Sequence, residues 1–200
     1  MLKKQIIKLI SEMTADGTGD KIELYKEEKE YIEKNQLLPS DFILVEKDSA
    51  FRFADAYIER SDKETEEVID EEGQAFLNQP IDYLKKQMNE FIYLESNWME
   101  LIGVDSVSLE VDDVFRTYDV MLGLKLQKKF ESNIKNYLMK NLNGNEANYD
   151  LMFSQDDGLW NLNIELNSIE GFHDDMTIGR AFQFIYQFLF KLVEEVEETK

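Results

Sequence analysis

Carboxylates are the side chains in this sequence that stand close enough together to do chemistry. Asp55, Tyr57 and Glu59 fall at alternate positions, so an extended strand projects them to one side, where paired carboxylates bind Mg²⁺ or share a proton. Asp112 and Asp113, followed by Arg116 and Asp119, make a second cluster. Each has a plainer reading: Arg60 and Lys63 neutralise the first as a solvated surface, and the second is a turn flanked by cross-strand pairs. No metal and no cofactor is expected, and Asp55, Glu59, Asp112 and Asp113 are the candidate ligands should an ion bind.

Other chemistries lack their parts. There is one histidine and no cysteine. Glu170 and His173 have the spacing of half a dimetal carboxylate site, which needs that pair twice on helices, and Gly171 marks a turn. A serine nucleophile would need His173 as its base, and Gly-x-Ser-x-Gly does not occur. Asp156-Asp157-Gly158 lacks the spacing of a calcium loop and suits a tight hairpin. Asp16-Gly17-Thr18-Gly19-Asp20 lacks the lysine of a phosphate-binding loop and reads as a turn. Neither a Schiff-base lysine nor a phosphate cradle can be singled out.

Charge is the stronger signal. Asp and Glu number 42 against 22 Lys and Arg, for a formal net charge of −20. Such a field repels nucleic-acid phosphate and anionic lipid and steers basic surfaces inward. The expected function is therefore a non-catalytic interaction protein whose acidic surface docks a basic protein partner, in the manner of an inhibitor, an immunity protein or an adaptor. Tyr57, Arg60, Trp98 and Trp160 are its candidate contact residues. The alternative is a carboxylate-based enzyme with Mg²⁺ as its candidate ion.

The elements that must position these residues follow from periodicity. Ile6, Ile7, Leu9, Ile10 and Met13 predict a first helix, and Leu24 to Leu37 a second, polar one. Phe42 to Val45 predicts a strand, and Phe51, Phe53 and Tyr57 a second. Residues 61–79 are acidic and poor in apolar anchors, which predicts a flexible segment, and residues 1–40 are a candidate helical portion of an otherwise single domain over 1–200. From Pro80, the spacing of Ile81, Leu84, Met88, Phe91, Ile92, Trp98 and Ile102 predicts a helix of about six turns. Strand alternation returns at Val107, Leu109 and Val111 and again on the even positions from Tyr118 to Leu126, with a helix through 111–126 as the rival reading.

Phe130 to Leu142 predicts a helix closed by Asn143-Gly144, and Tyr149 to Leu166 a hairpin about Asp156-Asp157-Gly158. The last helix is expected to start behind Asp174 or Asp175 and to be apolar over so wide an arc that it is buried on more than one side or pairs with a second copy as a homodimer. Arg180, Gln183, Gln187 and Lys191 interrupt that arc, so no membrane segment is expected. A cysteine-free chain suits the cytoplasm. The fold class expected is α+β, an antiparallel sheet of hairpins with helices packed mainly on one face and a long apolar C-terminal helix.

Three stretches carry a resemblance. Residues 112–129 (Asp112-Asp113-Val114-Phe115-Arg116-Thr117-Tyr118 onward), Asp157-Gly158-Leu159-Trp160-Asn161-Leu162 and Phe188-Leu189-Phe190-Lys191-Leu192-Val193-Glu194 together resemble a family of small acidic uncharacterised proteins from Bacillus-like bacteria, some of which carry a branched-chain aminotransferase label. None of these stretches matches a cofactor motif, and the resemblance assigns no catalytic residue.

Overall fold

The computed structural model describes residues 1–15, 21–39, 41–142 and 148–198. In chain order the elements are α1 (Leu2–Thr14), β1 (Lys21–Leu24), α2 (Lys26–Asn35), β2 (Ile43–Glu46), β3 (Tyr57–Asp62), β4 (Val68–Glu71), α3 (Tyr83–Lys86), β5 (Glu90–Glu95), α4 (Asn97–Leu101), β6 (Val104–Val111), β7 (Tyr118–Leu124), α5 (Glu131–Asn141), β8 (Tyr149–Ser154), β9 (Leu159–Glu165) and α6 (Ile178–Glu198). Short 3₁₀ turns join some of them. Seven strands form one sheet in the order β4-β3-β5-β6-β7-β9-β8, antiparallel at every pairing, while β1 and β2 pair in parallel as a separate ribbon.

Alternation decides which face of the sheet is dry. Ile92 and Leu94, Val107, Leu109 and Val111, Val120 and Leu124, and Trp160, Leu162 and Ile164 all point one way and are buried. α6 supplies the other half of that core through Phe182, Ile185, Tyr186, Leu189, Leu192 and Val193. Each such side chain contributes about 1.5–3 kcal/mol on leaving water, which is why a wide apolar arc seeks more than one neighbour. α1 (Leu2, Ile6, Ile10), α2 (Tyr31, Ile32) and α5 (Ile134, Tyr137, Leu138) join the same cluster, and Tyr137 donates its hydroxyl to the Phe188 carbonyl at 3.1 Å. The arc is thus used within the chain. Among the described residues no helix is long and apolar enough to cross a membrane.

Several boundaries differ from expectation, each for a physical reason. The six-turn helix after Pro80 is not formed: α3 is one turn, β5 follows, and Ser96 starts α4 by accepting from Trp98 N at 3.2 Å. Phe91, Ile92, Tyr93 and Leu94 favour a pleated surface, and β5 gains two ladder partners, β3 and β6, that a helix would forgo. Leu24 belongs to β1, so α2 begins at Lys26 and closes at Gln36 with φ 50°. Phe51 and Phe53 lie in a 3₁₀ turn and the bend after it, and the strand starts only at Tyr57. Residues 61–79 hold the β3–β4 hairpin and a 3₁₀ turn, Gln74–Asn78, with Phe76 and Leu77 buried. The turns expected at 16–20 and 143–144 lie outside the described residues.

α6 is capped by Thr177, whose Oγ1 accepts from Arg180 N at 3.2 Å, rather than by Asp174 or Asp175. The cause is a strand-like clamp: Ile81 N donates to Met176 O at 2.9 Å and Ile178 N to Gln79 O at 2.8 Å, holding residues 176–178 extended. Asp174 instead pairs with Lys85 at 2.6 Å. Replacing Thr177 by Ala is expected to lower stability by about 1 kcal/mol, read as a shift in the urea midpoint, whereas Asp175→Ala leaves that midpoint unchanged.

Candidate functional site

Among the described residues no helix covers the sheet's second face. Strand register places Tyr57, Glu59, Glu71, Tyr93, Glu95, Ser106, Ser108, Glu110, Asp119, Met121, Asp150, Met152, Asn161, Asn163 and Glu165 on it. These strand positions hold Glu59, Glu71, Glu95, Glu110, Asp119, Asp150 and Glu165 and no lysine or arginine. Five of the acids stand directly opposite another: Glu59 faces Glu71 across β3 and β4, Glu110 faces Asp119 across β6 and β7, and Asp119 faces Glu165 across β7 and β9. Like charges in that relation destabilise a sheet. Burial, reinforced by Asp112, Glu110 and Glu165, pushes the Asp119 carboxyl up to about 6, and burial raises Glu110 as well.

Lys63, just beyond β3, offsets part of this charge. Its ammonium lies 3.8 Å from Glu110 and 3.4 Å from Asp113 and donates to the Val111 carbonyl. Asp119, Glu165 and Asp150 have no cation of the described residues within 4 Å. At the far end of the face Tyr57 donates to Glu59 at 2.6 Å, Tyr93 donates to Glu95, and the two rings meet edge to face at 6.5 Å. The Glu59 hydrogen bond holds the Tyr57 hydroxyl up at about 12, so it stays a donor.

The residues singled out in the sequence divide among several places. Tyr57 and Glu59 share the open face, but Asp55 sits in the preceding turn, where it borders a depression with Trp98 and Lys8. Asp112 accepts from Val114 N at 2.8 Å and Phe115 N at 2.6 Å, and those bonds hold its carboxyl below the usual range. Its neighbour Asp113 is spent on Lys63. Among the described residues no group of three or more acids or histidines is arranged to hold a metal ion. His173 and Glu170 are both exposed in the loop before α6.

Of the expected contact residues, Trp160 is buried and Arg60 is half-buried with its guanidinium engaged within the chain. Arg60 is held by Glu72 at 2.7 Å and Glu90 at 3.0 Å, with the Tyr83 hydroxyl at 3.1 Å. Burial opposes its charge, yet those carboxylates carry it above the ordinary guanidinium value. Trp160 is 2% exposed against Phe153 and offers a partner no surface. Its place on the dry face of β9 follows from alternation with Asn161 and Asn163.

A second charged cluster escapes a reading from sequence. Arg52, 3% exposed, donates from Nη1 and Nη2 to the two oxygens of Glu28 at 2.8 and 3.1 Å and again from Nη2 to Glu27. Tyr186 of α6 donates its hydroxyl to Glu28. The guanidinium carbon stands 4.0 Å from the Tyr186 ring centroid, 4.3 Å from that of Tyr25 and 5.2 Å from that of Trp98. Desolvation works against the Arg52 charge, but Glu28 and Glu27 hold it above its ordinary value, and burial pushes the Tyr186 hydroxyl well up. Glu27 and Glu28 lie in the first turn of α2, where the helix dipole favours anions. Their signal is spacing: they precede Tyr31 and Ile32 by four residues and so share the apolar stripe of α2. Every polar partner in this cluster is satisfied internally, so its role is to join α2 to α6.

Comparison with protein-family models, with curated proteins and with solved structures finds no match to this chain.

Proposed function

We propose that this chain is a non-catalytic cytoplasmic interaction protein that docks a basic protein partner. The observation that carries the reading is the register-aligned row Glu110, Asp119 and Glu165 on an open sheet face without lysine or arginine at its strand positions. The row costs the fold stability, and a cationic partner removes that cost on binding. The same field repels nucleic acid and anionic membranes. A cysteine-free, strongly acidic chain agrees with a cytoplasmic setting.

Affinity purification from the native cells, washed with rising NaCl, tests this. The retained protein is expected to be basic and to elute as salt screens the contact, and the double variant Asp119→Lys, Glu165→Lys is expected to lose it at lower salt. Retained proteins no more basic than the lysate, or retention indifferent to salt, would refute the reading.

A further inference from the structure

We propose that the turn between β6 and β7 is a rigid apolar knob, inserting Val114 and Phe115 into an apolar pocket rimmed by lysine and arginine on the partner; this rests on the docking function above.

Three hairpins of the sheet close with one turn geometry. In each, the first residue's side chain accepts from backbone N–H groups inside the turn, and its carbonyl accepts from the fifth residue, which has positive φ. The pairs are Asp62 with Glu66 (φ 58°), Asp112 with Arg116 (φ 61°) and Ser154 with Gly158 (φ 70°), their backbone bonds measuring 2.9, 3.1 and 3.0 Å. At the third and fourth positions a side chain adds to this bonding in the other two turns, where Thr65 Oγ1 donates to Asp62 and Ser154 Oγ donates to Asp157, whereas the β6–β7 turn keeps its backbone bonds without help from Val114 or Phe115. Two of the turns fill them with polar residues, Glu64-Thr65 and Asp156-Asp157, as water prefers. The β6–β7 turn fills them with Val114 and Phe115, 78% and 79% exposed. Turn chemistry therefore does not account for the two apolar side chains.

Preorganisation suits them to binding. Asp112 fixes the backbone at both residues, and Asp112 N closes the loop onto Thr117 O at 2.8 Å, so little main-chain freedom remains to be lost on docking. An aromatic anchor on such a turn is the kind of residue that dominates interface energy. Beneath it, a depression of about 270 Å³ is bordered by Phe115, Tyr149, Asp119, Asp150 and Glu165. Arg116 is a cation at the tip, outnumbered there by these acids. Charge complementarity thus asks for basic residues around the pocket that takes Phe115.

A benzoylphenylalanine photocross-linker placed at position 115, 65 or 121 of the full chain, irradiated in the native cells, tests the knob. The expected result is an adduct with a basic protein from position 115 and none from position 65. The purified adduct partner then binds the variant Val114→Glu, Phe115→Thr about tenfold or more weakly. That variant copies the Glu64-Thr65 turn, and its melting curve matches the parent's. An adduct from position 121 without one from 115 would overturn the knob and leave the docking function standing. A basic adduct from no position would overturn both, and a second copy of this chain cross-linked at 115 would overturn the basic partner.

Discussion

Arg52→Ala is expected to lower stability by about 3–5 kcal/mol, because it leaves Glu27 and Glu28 buried without their cation. In a chain of 200 residues that moves the melting midpoint down by roughly 10 °C. The loss is mainly a penalty for stranded carboxylates, so it depends on them. In a Glu27→Gln, Glu28→Gln background the same substitution is expected to cost much less, and the difference is a coupling energy that a double-mutant cycle isolates. Arg52→Lys should fall between, since an ammonium keeps the charge but neither the two-pronged contact with Glu28 nor the stacking among Tyr25, Trp98 and Tyr186. A cost below about 1 kcal/mol for Arg52→Ala, or the same cost in both backgrounds, would show that the cluster does not join α2 to α6 in the way described.

Asp119→Asn is expected to have the opposite sign. The native carboxyl titrates at about 6 against an ordinary 3.8, a gap worth about 3 kcal/mol without screening and about 1–2 kcal/mol on a half-open face. The folded protein holds this proton more tightly than the unfolded chain. Stability from this group is therefore highest below about pH 3.8, falls as pH rises toward 6, and is flat above. The asparagine variant should melt higher than the parent at pH 7.5, with the advantage shrinking through pH 6 and gone near pH 4. Docking moves the other way: the variant is expected to bind the basic partner about tenfold more weakly at low salt, with the difference narrowing at high salt. A variant no more stable than the parent at pH 7.5 would mean that the acidic row imposes no cost, and the reasoning for its function would fail with it.

The expected α+β class is the one observed: a seven-stranded antiparallel sheet and a long C-terminal helix, with the helices on one side. The β6–β7 and β8–β9 hairpins are legible because alternation and turn residues occur side by side in the chain. β5 is hidden because Leu84, Met88, Phe91 and Ile92 also satisfy a helical period, and only the strands on either side, drawn from elsewhere, decide between the two. The candidate site suffers more. Glu110, Asp119 and Glu165 belong to three strands, and one strand at a time shows only an acidic residue facing water. Glu59 and Tyr57 are found together because alternation within a single strand suffices to pair them, whereas Asp55 falls outside that strand. Trp160 reads as an anchor from residue type alone and as core once its register against Phe153 is known.

α6 lies at the middle of the buried cluster yet follows every other element along the chain. On the ribosome, the sheet, α1 and α2 all emerge before the segment that covers them exists. Glu197 near its end also receives the amide of Leu2 at 2.9 Å, and Lys34 of α2 is held by Glu194 and Glu198 at 2.8 and 2.6 Å. Translation must therefore pass Glu197 before α1, and Glu198 before α2, finds its final contacts, and until then the growing polypeptide depends on its own acidity, or on a chaperone, to keep the half-built sheet from associating with its neighbours.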